Sequence, residues 1–419
     1  MNRIINDKEN LSKVILVCAD NGEYDAESSL KELEELAKTA GAETVGKVIQ
    51  KRDSLDNATY IGSGRLEQLA EEASALEADF IIFDTDLSAV QMKNIEKVLP
   101  CKIIDRTTLI LDIFAENART AEGRLQVELA QYKYALPRLH GKGAEMSRLG
   151  GSSSGGLRAR GAGETKLETD KRHIRRRIDA LEAELEELQK RRDRHRARRK
   201  KDNILTAAIV GYTNVGKSTL MNRLSEAGVL VENKLFATLD TTSRAIELPD
   251  GRSVTIIDTV GLLRRLPHNL VEAFKSTLEE AASADLIINL IDISNPEGFE
   301  QSEVTAKLLT ELGCGEIPRI DVLNKCDKVD VSGINPDGKT ALISAKSGFG
   351  IDNLLETITR NLPVTGARLN LEIPYSETGM LNRIRENGTV YSENYAENGT
   401  IIDAFVDIRL LSSVKKFAV

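Results

Sequence analysis

The 419-residue chain has no tryptophan, and aromatic residues make up only 4% of it. So few large rings argue against a stacking surface for unpaired nucleic-acid bases. Its four cysteines, Cys18, Cys101, Cys314 and Cys326, are scattered and form no CxxC pair. That speaks against a disulfide framework or a structural zinc site and suits a reducing compartment. No apolar run approaches bilayer-spanning length, and the opening MNRIINDKEN lacks the apolar core of a signal peptide, so a cytoplasmic location is expected. What remains is ordinary globular composition: 41% apolar residues, and 57 Lys and Arg against 65 Asp and Glu. The length suits two to four domains.

The informative stretch is AAIVGYTNVGKST, residues 207–219. An apolar run leads into Gly211, and Gly216-Lys217-Ser218 follow at the spacing of a phosphate loop. Such a loop needs glycine where backbone N–H groups curl round oxygens, a lysine for the β/γ-phosphates, and a hydroxyl for Mg²⁺. Thr219 and the residues after it read as the helix whose positive end faces the phosphates. A glycine-rich turn with an incidental lysine would look similar in isolation, but three more sites follow in order. VTIIDTVG (254–261) ends in Asp258, placed to hold the Mg²⁺ shell, and Gly261, whose N–H can sense a γ-phosphate. NKCD (324–327) supplies Asp327, one carboxylate able to accept from both N1–H and N2–H₂ of guanine, with Asn324 and Lys325 as braces. SAK (344–346) can close over guanine O6 with a backbone N–H. Between the first two sites, LFATLDTT (235–242) offers Thr238, Thr241 and Thr242 as a switch hydroxyl for Mg²⁺, and Thr238 is preferred. Many nucleotide hydrolases of this kind place a glutamine just after the DxxG glycine to orient water. Here Leu262 and Leu263 stand there, with Arg264 and Arg265 next as candidate charge donors.

Upstream, strands at Val14–Ala19, Thr44–Ile49, Asp79–Asp84 and Lys102–Asp105 alternate with helices at Ser28–Lys38, 61–73 and Ser88–Val98. The alternation predicts a parallel α/β domain over residues 1–115. Asp84, Asp86 and Asp105 cluster near strand ends, where turn and cap duty is the expected role rather than a metal site. Residues 116–203 read as a helical hairpin, with Leu125, Leu129, Tyr132 and Leu136 facing Ile174, Ile178, Leu181, Leu185 and Leu188. The glycine-rich stretch 147–166 reads as a connecting loop. Residues 171–201 carry 14 Lys and Arg against 6 Asp and Glu inside a chain of net charge −8. Such a patch favours phosphate backbones. With few aromatics nearby, structured RNA is the expected partner, with a merely solvated charged helix face and anionic lipid as the other readings, and DNA is not expected. The nucleotide motifs span 204–362, and a strand-rich α+β module follows at 365–419. Asp321, inside the presumed strand before NKCD, is out of character for its position.

GYTNVGKST, LFATLD, DTVGLLRRLPHNLVEAFKSTLEE, NKCD and SAK, with ARTAEGRLQVELAQYKYALPRL, RARGAGETKLETD and YIGSGRLEQL, resemble the HflX-type GTPases over nearly the whole chain. The resemblance implies an α/β architecture in which a P-loop GTPase domain joins an N-terminal parallel α/β domain with a helical hairpin and a small C-terminal α+β domain. It implies a cytoplasmic, Mg²⁺-dependent GTPase that binds the ribosome, chiefly the large subunit and its RNA, and separates stalled or hibernating 70S particles. By the same resemblance Gly211, Tyr212, Thr213, Asn214, Val215, Gly216, Lys217 and Ser218 hold phosphates, with Lys217 catalytic and Thr219 beside them. Ser218 and Thr238 ligate Mg²⁺; Phe236, Ala237, Thr238, Leu239 and Asp240 form switch I. Asp258, Thr259, Val260 and Gly261 form switch II, and Asn324, Lys325, Asp327, Ser344, Ala345 and Lys346 hold guanine. The family usually has Phe at Leu262 and often Pro at Thr241, so this chain departs from it at both switches. Two other readings stay open: a GTPase adaptor lying weakly on the inner face of a membrane through its basic helix, and the GTPase module of an RNA-modifying enzyme.

Overall fold

The computed structural model describes residues 11–140, 159–201, 204–225, 242–259, 261–265 and 281–419. Two compact units divide the chain. The first holds the described residues up to Arg192 together with 263–265, and the second holds the rest.

In the first unit, β1 (Ser12–Asp20), β2 (Ala42–Lys51), β3 (Phe80–Phe83) and β4 (Lys102–Asp105) form one parallel sheet in the order β2-β1-β3-β4. Val14 to Ala19 are fully buried, the signature of a strand enclosed on both faces. The crossovers are α1 (Ala26–Thr39), α2 (Ser63–Ala75) and α3 (Ala89–Glu96). Asp25 caps α1 through the N–H groups of Glu27 and Ser28, and Ser88 opens α3 in a reciprocal capping box with Gln91. The three aspartates at the strand ends do cap and pairing work. Asp105 accepts from the Thr108 N–H at 2.9 Å, Asp86 accepts from the Thr107 hydroxyl, and fully buried Asp84 pairs with Arg106 at 2.8 Å. No group of three or more metal-ligating side chains occurs among the described residues.

Asp105 starts a helix that sequence periodicity does not reveal, α4 (Arg106–Asn117). Its run TTLILDIF is buried at Thr107, Leu109, Ile110, Leu111, Ile113 and Phe114, so it shows no polar stripe against which a helical period can be read. The expected hairpin faces do meet. In α5 (Ala121–Ala135) and α6 (Ala159–Lys201), Leu129, Ile178 and Leu181 form a buried cluster with Leu125, Tyr132, Ile174 and Leu185 packed around it. The loop expected over 147–166 needs correction. Residues 159–166 are the first two turns of α6, while 147–158 lie outside the described residues. Helix propagation adds one hydrogen bond per residue once a nucleus exists. A 43-residue helix can therefore absorb Gly161 and Gly163 at about 1 kcal/mol each. No helix among the described residues is long and apolar enough to cross a membrane.

The second unit is built on a six-stranded sheet ordered β10-β9-β8-β5-β7-β6. The strands are β5 (Leu205–Gly211), β6 (Thr242–Glu247), β7 (Ser253–Asp258), β8 (Leu286–Asp292), β9 (Arg319–Asn324) and β10 (Thr340–Leu342), all parallel except β6 against β7. α7 (Lys217–Leu224), α8 (Gly298–Glu311) and α9 (Ile351–Asn361) connect it. Leu270, Ala273, Phe274 and Leu278 are spaced as one face of a helix, in a segment outside the described residues. Asp321 finds its compensation across the sheet. It sits opposite Asn289, whose amide donates to it at 2.8 Å and to the Ser302 hydroxyl at 2.9 Å. The C-terminal module is an antiparallel sheet of β11 (Gly366–Pro374), β12 (Thr389–Tyr395) and β13 (Gly399–Asp407) in the order β11-β13-β12, with α10 (Thr378–Asn387) and α11 (Ile408–Val414). By sequence Ile401–Leu410 reads as one strand, but residues 408–410 begin α11, because Asp407 caps the Arg409 N–H at 2.8 Å.

Candidate functional site

Strand β5 is buried along its whole length and delivers Gly211 to the carboxyl edge of the sheet. The loop then turns through Asn214 at φ +60° and Gly216 at φ +99° before α7 begins. Only glycine fits at 216. The left-handed backbone strains any other residue, and a Cβ would lie 2.6 Å from the Asn324 amide nitrogen. Lys217 is 7% exposed, and its ammonium donates to the carbonyls of Gly211 at 3.1 Å and Tyr212 at 2.7 Å. Burial pulls its pKa down to about 8, with the Asp258 carboxylate opposing that shift.

Ser218, one residue on, donates its hydroxyl to Asp258 Oδ2 at 3.1 Å. Asp258 closes β7, paired with β5, and Thr259 anchors the exit from that strand by donating to the Ile209 carbonyl at 2.7 Å. Beyond it, the backbone of Leu262 pairs with the loop. The Thr213 N–H donates to Leu262 O at 3.0 Å, and the Leu262 N–H donates to Gly211 O at 3.2 Å. Gly261 is thereby brought so close that a Cβ on it would sit 3.1 Å from Lys217 Nζ and 2.7 Å from Thr213 Cγ2. Leu262 and Leu263 are buried, so neither presents a polar group. The arginines that follow are engaged in the first unit. Arg265 pairs with Asp84 at 2.7 Å, donates to the Ser29 hydroxyl at 3.0 Å and stacks 4.0 Å from the Tyr24 ring centre. The Arg264 carbonyl accepts from Arg106 at 3.2 Å. Phe236, Ala237, Thr238, Leu239 and Asp240, with Val260, lie outside the described residues.

The second half of the site comes from β9 and β10. Asn324, 2% exposed, ties three loops together: its amide donates to Val215 O at 2.7 Å and its carbonyl oxygen accepts from the Ala345 N–H at 3.0 Å. Lys325, at φ +65°, reaches back to Asn214 O at 3.0 Å and pairs with Asp292 at 2.6 Å. Asp327 is exposed at the mouth and accepts from the Ser344 hydroxyl at 2.6 Å, which holds its carboxyl below the usual range. Cys326 is buried, its thiol donating to Leu323 O at 3.3 Å. Sequence reasoning passed over Asp292 as a mere strand end. Its signal was its place at the carboxyl edge of β8, one strand from NKCD. The arrangement joins a buried ammonium, a hydroxyl–carboxylate pair and a fixed exposed carboxylate along one sheet edge. Such edges are where doubly wound sheets take ligands.

Comparison with known proteins bears on the family of the chain. Residues 206–325 match a family model described as 50S ribosome-binding GTPase, residues 27–115 one described as GTP-binding GTPase N-terminal, and residues 117–199 its middle region. A GTPase HflX of Caldanaerobacter subterraneus subsp. tengcongensis is 49% identical over 421 residues, covering 100% of this chain and 96% of that protein. The chain belongs to the HflX family of GTPases. The Escherichia coli K12 GTPase HflX is 38% identical over 89% of this chain and 88% of its own length. The solved complex of SsGBP and GDP is 26% identical with a TM-score of 0.48, covering 84% of this chain and 98% of that one. As an HflX GTPase, the chain binds GTP and hydrolyses it to GDP and phosphate.

Proposed function

We propose that this HflX GTPase uses nucleotide binding and hydrolysis to act on the ribosome, chiefly the large subunit, and to separate stalled 70S particles into subunits. The observation that carries the nucleotide half is the Asn324 tie, which joins the 211–218 loop to the 344–346 loop through one buried side chain. Phosphates would lie over the 211–218 backbone against Lys217. The base would lie at Asp327, whose carboxylate, held through one oxygen by the Ser344 hydroxyl, would accept from guanine N1–H and N2–H₂ with its two oxygens. The Ala345 N–H serves Asn324 in this arrangement, so a contact to guanine O6 draws on the same loop's other donors.

The hard-oxygen pair of Ser218 and Asp258, 3.1 Å apart, fits a Mg²⁺ ion, with Thr238 as the further switch ligand. Such an ion supplies charge neutralisation on the transferred phosphoryl group. Lys217 would release its two backbone carbonyls and turn its charge to the phosphates. Gly261 lies close to Lys217, and its N–H would report the γ-phosphate to the segment behind it. Leu262 cannot orient the attacking water, so turnover by the protein alone is slow. A partner that orders the switches speeds it.

The ribosome half is supported by the matching family's description and by α6, which exposes Arg172, Arg175, Arg176, Arg191, Arg194 and Arg198. Light scattering and gradient sedimentation of 70S particles, with phosphate release measured in parallel, test the proposal. Expected is slow release without ribosomes, faster release with them, and GTP-dependent conversion to subunits. Fast release indifferent to ribosomes, with intact 70S peaks, would remove it.

A further inference from the structure

Arg223 lies in the last turn of α7 and has no part in the phosphate loop itself. Its guanidinium crosses to the other end of the site. Nε donates to Ala345 O at 3.3 Å and Nη2 to Lys346 O at 2.7 Å. A planar fork holding two successive carbonyls fixes two peptide planes at once. In a trans peptide the carbonyl and the following N–H point opposite ways. Pinning Ala345 O therefore aims the Lys346 N–H away from Arg223, and pinning Lys346 O does the same for the Ser347 N–H. The second consequence is visible: the Ser347 N–H donates to Ser344 Oγ at 3.2 Å, and that hydroxyl donates to Asp327 at 2.6 Å. The turn closes at Gly348, whose φ of +90° suits glycine and whose Cα hydrogen faces the guanidinium, a Cβ there falling 3.6 Å from Arg223 Cζ.

We infer that Arg223 is a positioning residue for purine selectivity: it sets the 344–347 loop so that a purine bearing an oxygen at C6 is accepted and one bearing an amine there is refused. The inference rests on the reading of residues 324–327 and 344–346 as the guanine pocket. One guanidinium governs both halves of that pocket, the N–H edge that meets a C6 oxygen and the serine that holds the carboxylate for N1 and N2. Asn324 and Arg223 are two separate struts from the α7 side to the base side. Only the first touches the phosphate loop, so loss of the second leaves phosphate contacts intact.

The test is competition binding on the full-length protein with GDP, IDP and ADP against a fluorescent guanine nucleotide, for wild type, Arg223→Ala, Arg223→Lys and Asp327→Asn. Arg223→Ala is expected to weaken GDP and IDP about tenfold while leaving the weak ADP affinity where it was, so that the GDP to ADP preference shrinks by the same factor. Arg223→Lys reaches one carbonyl at a time and recovers part of that loss. In hydrolysis, KM for GTP rises while kcat holds within about twofold. Arg223 is exposed, and a thermal melt of each variant checks that it is folded. A GDP to ADP ratio in Arg223→Ala equal to that of wild type overturns the assignment, as does an equal loss for all three nucleotides. A wild type that fails to prefer GDP to ADP, or an Asp327→Asn variant with unchanged GDP affinity, brings down the pocket reading itself.

Discussion

Asp112 is a carboxyl in a place that does not want one. It sits in α4 between Leu111 and Ile113, both buried, and its Oδ2 has no hydrogen-bond partner among the described residues. Burial pushes its pKa up to about 7. The folded-state value is thus above the ordinary carboxyl value of 3.8, and the folded protein holds the proton more tightly than the unfolded chain does. Asp112 therefore favours folding most below about pH 4, and that contribution is lost as pH rises through about 7. Asp112→Asn keeps the shape without the charge. It should match wild type near pH 4 and exceed it at pH 8, by up to about 4 kcal/mol on the linkage arithmetic. Denaturant titrations at the two pH values check this, and equal stability differences at both would show that Asp112 is solvated.

The same unit shows how strand ends become useful. Asp84, at 0% exposure, accepts from Ser29 and pairs with both Arg106 and Arg265, whereas a sequence reader sees only an acidic residue after FIIF. Arg265 is consequently spoken for by a carboxylate of the first unit, which removes it from the simple role of charge donor to a phosphate. Helix α6 poses a different case, because its proposed contact with ribosomal phosphates would depend on charge rather than burial. Replacing Arg175, Arg176 and Arg191 with alanine should leave the Leu129–Ile178–Leu181 cluster untouched. Each lost phosphate contact should flatten the slope of log affinity against log salt by about 0.9. Ribosome co-sedimentation at several salt concentrations reads that slope. An unchanged slope would move the contact surface off this face of α6.

At the scale of the whole chain, the described nucleotide motifs fall almost entirely in one of the two units. The second contains all the described motif residues from Gly211 to Leu262 and from Asn324 to Lys346, on a sheet with its own buried strands. A fragment spanning residues 204–419 should therefore still bind GDP and GTP by fluorescence titration. It should lose most ribosome affinity and all subunit separation, because α6 and the parallel domain are gone. If the fragment still separates 70S particles, the N-terminal half is dispensable and its proposed role is wrong.

The phosphate loop, the DxxG turn and NKCD could be read from the chain because each is a local pattern whose spacing encodes backbone shape. Glycine at a left-handed φ, a lysine one residue later and a hydroxyl after that need no distant partner to be recognised. The strands read at Val14–Ala19 and Lys102–Asp105, observed as Ser12–Asp20 and Lys102–Asp105, were equally open to reading, since period and length sufficed. Other features depended on residues far apart in sequence. Asp321 made sense only beside Asn289, Lys325 only beside Asp292, and Arg223 only against the carbonyls of Ala345 and Lys346. α4 stayed hidden because packing on most of its surface erased the polar stripe that marks a helix, and the start of α6 because its glycines argue locally for a loop. Local backbone preference is written in neighbouring residues, whereas a buried polar group is stable only with a partner, and the fold alone decides which partner it meets.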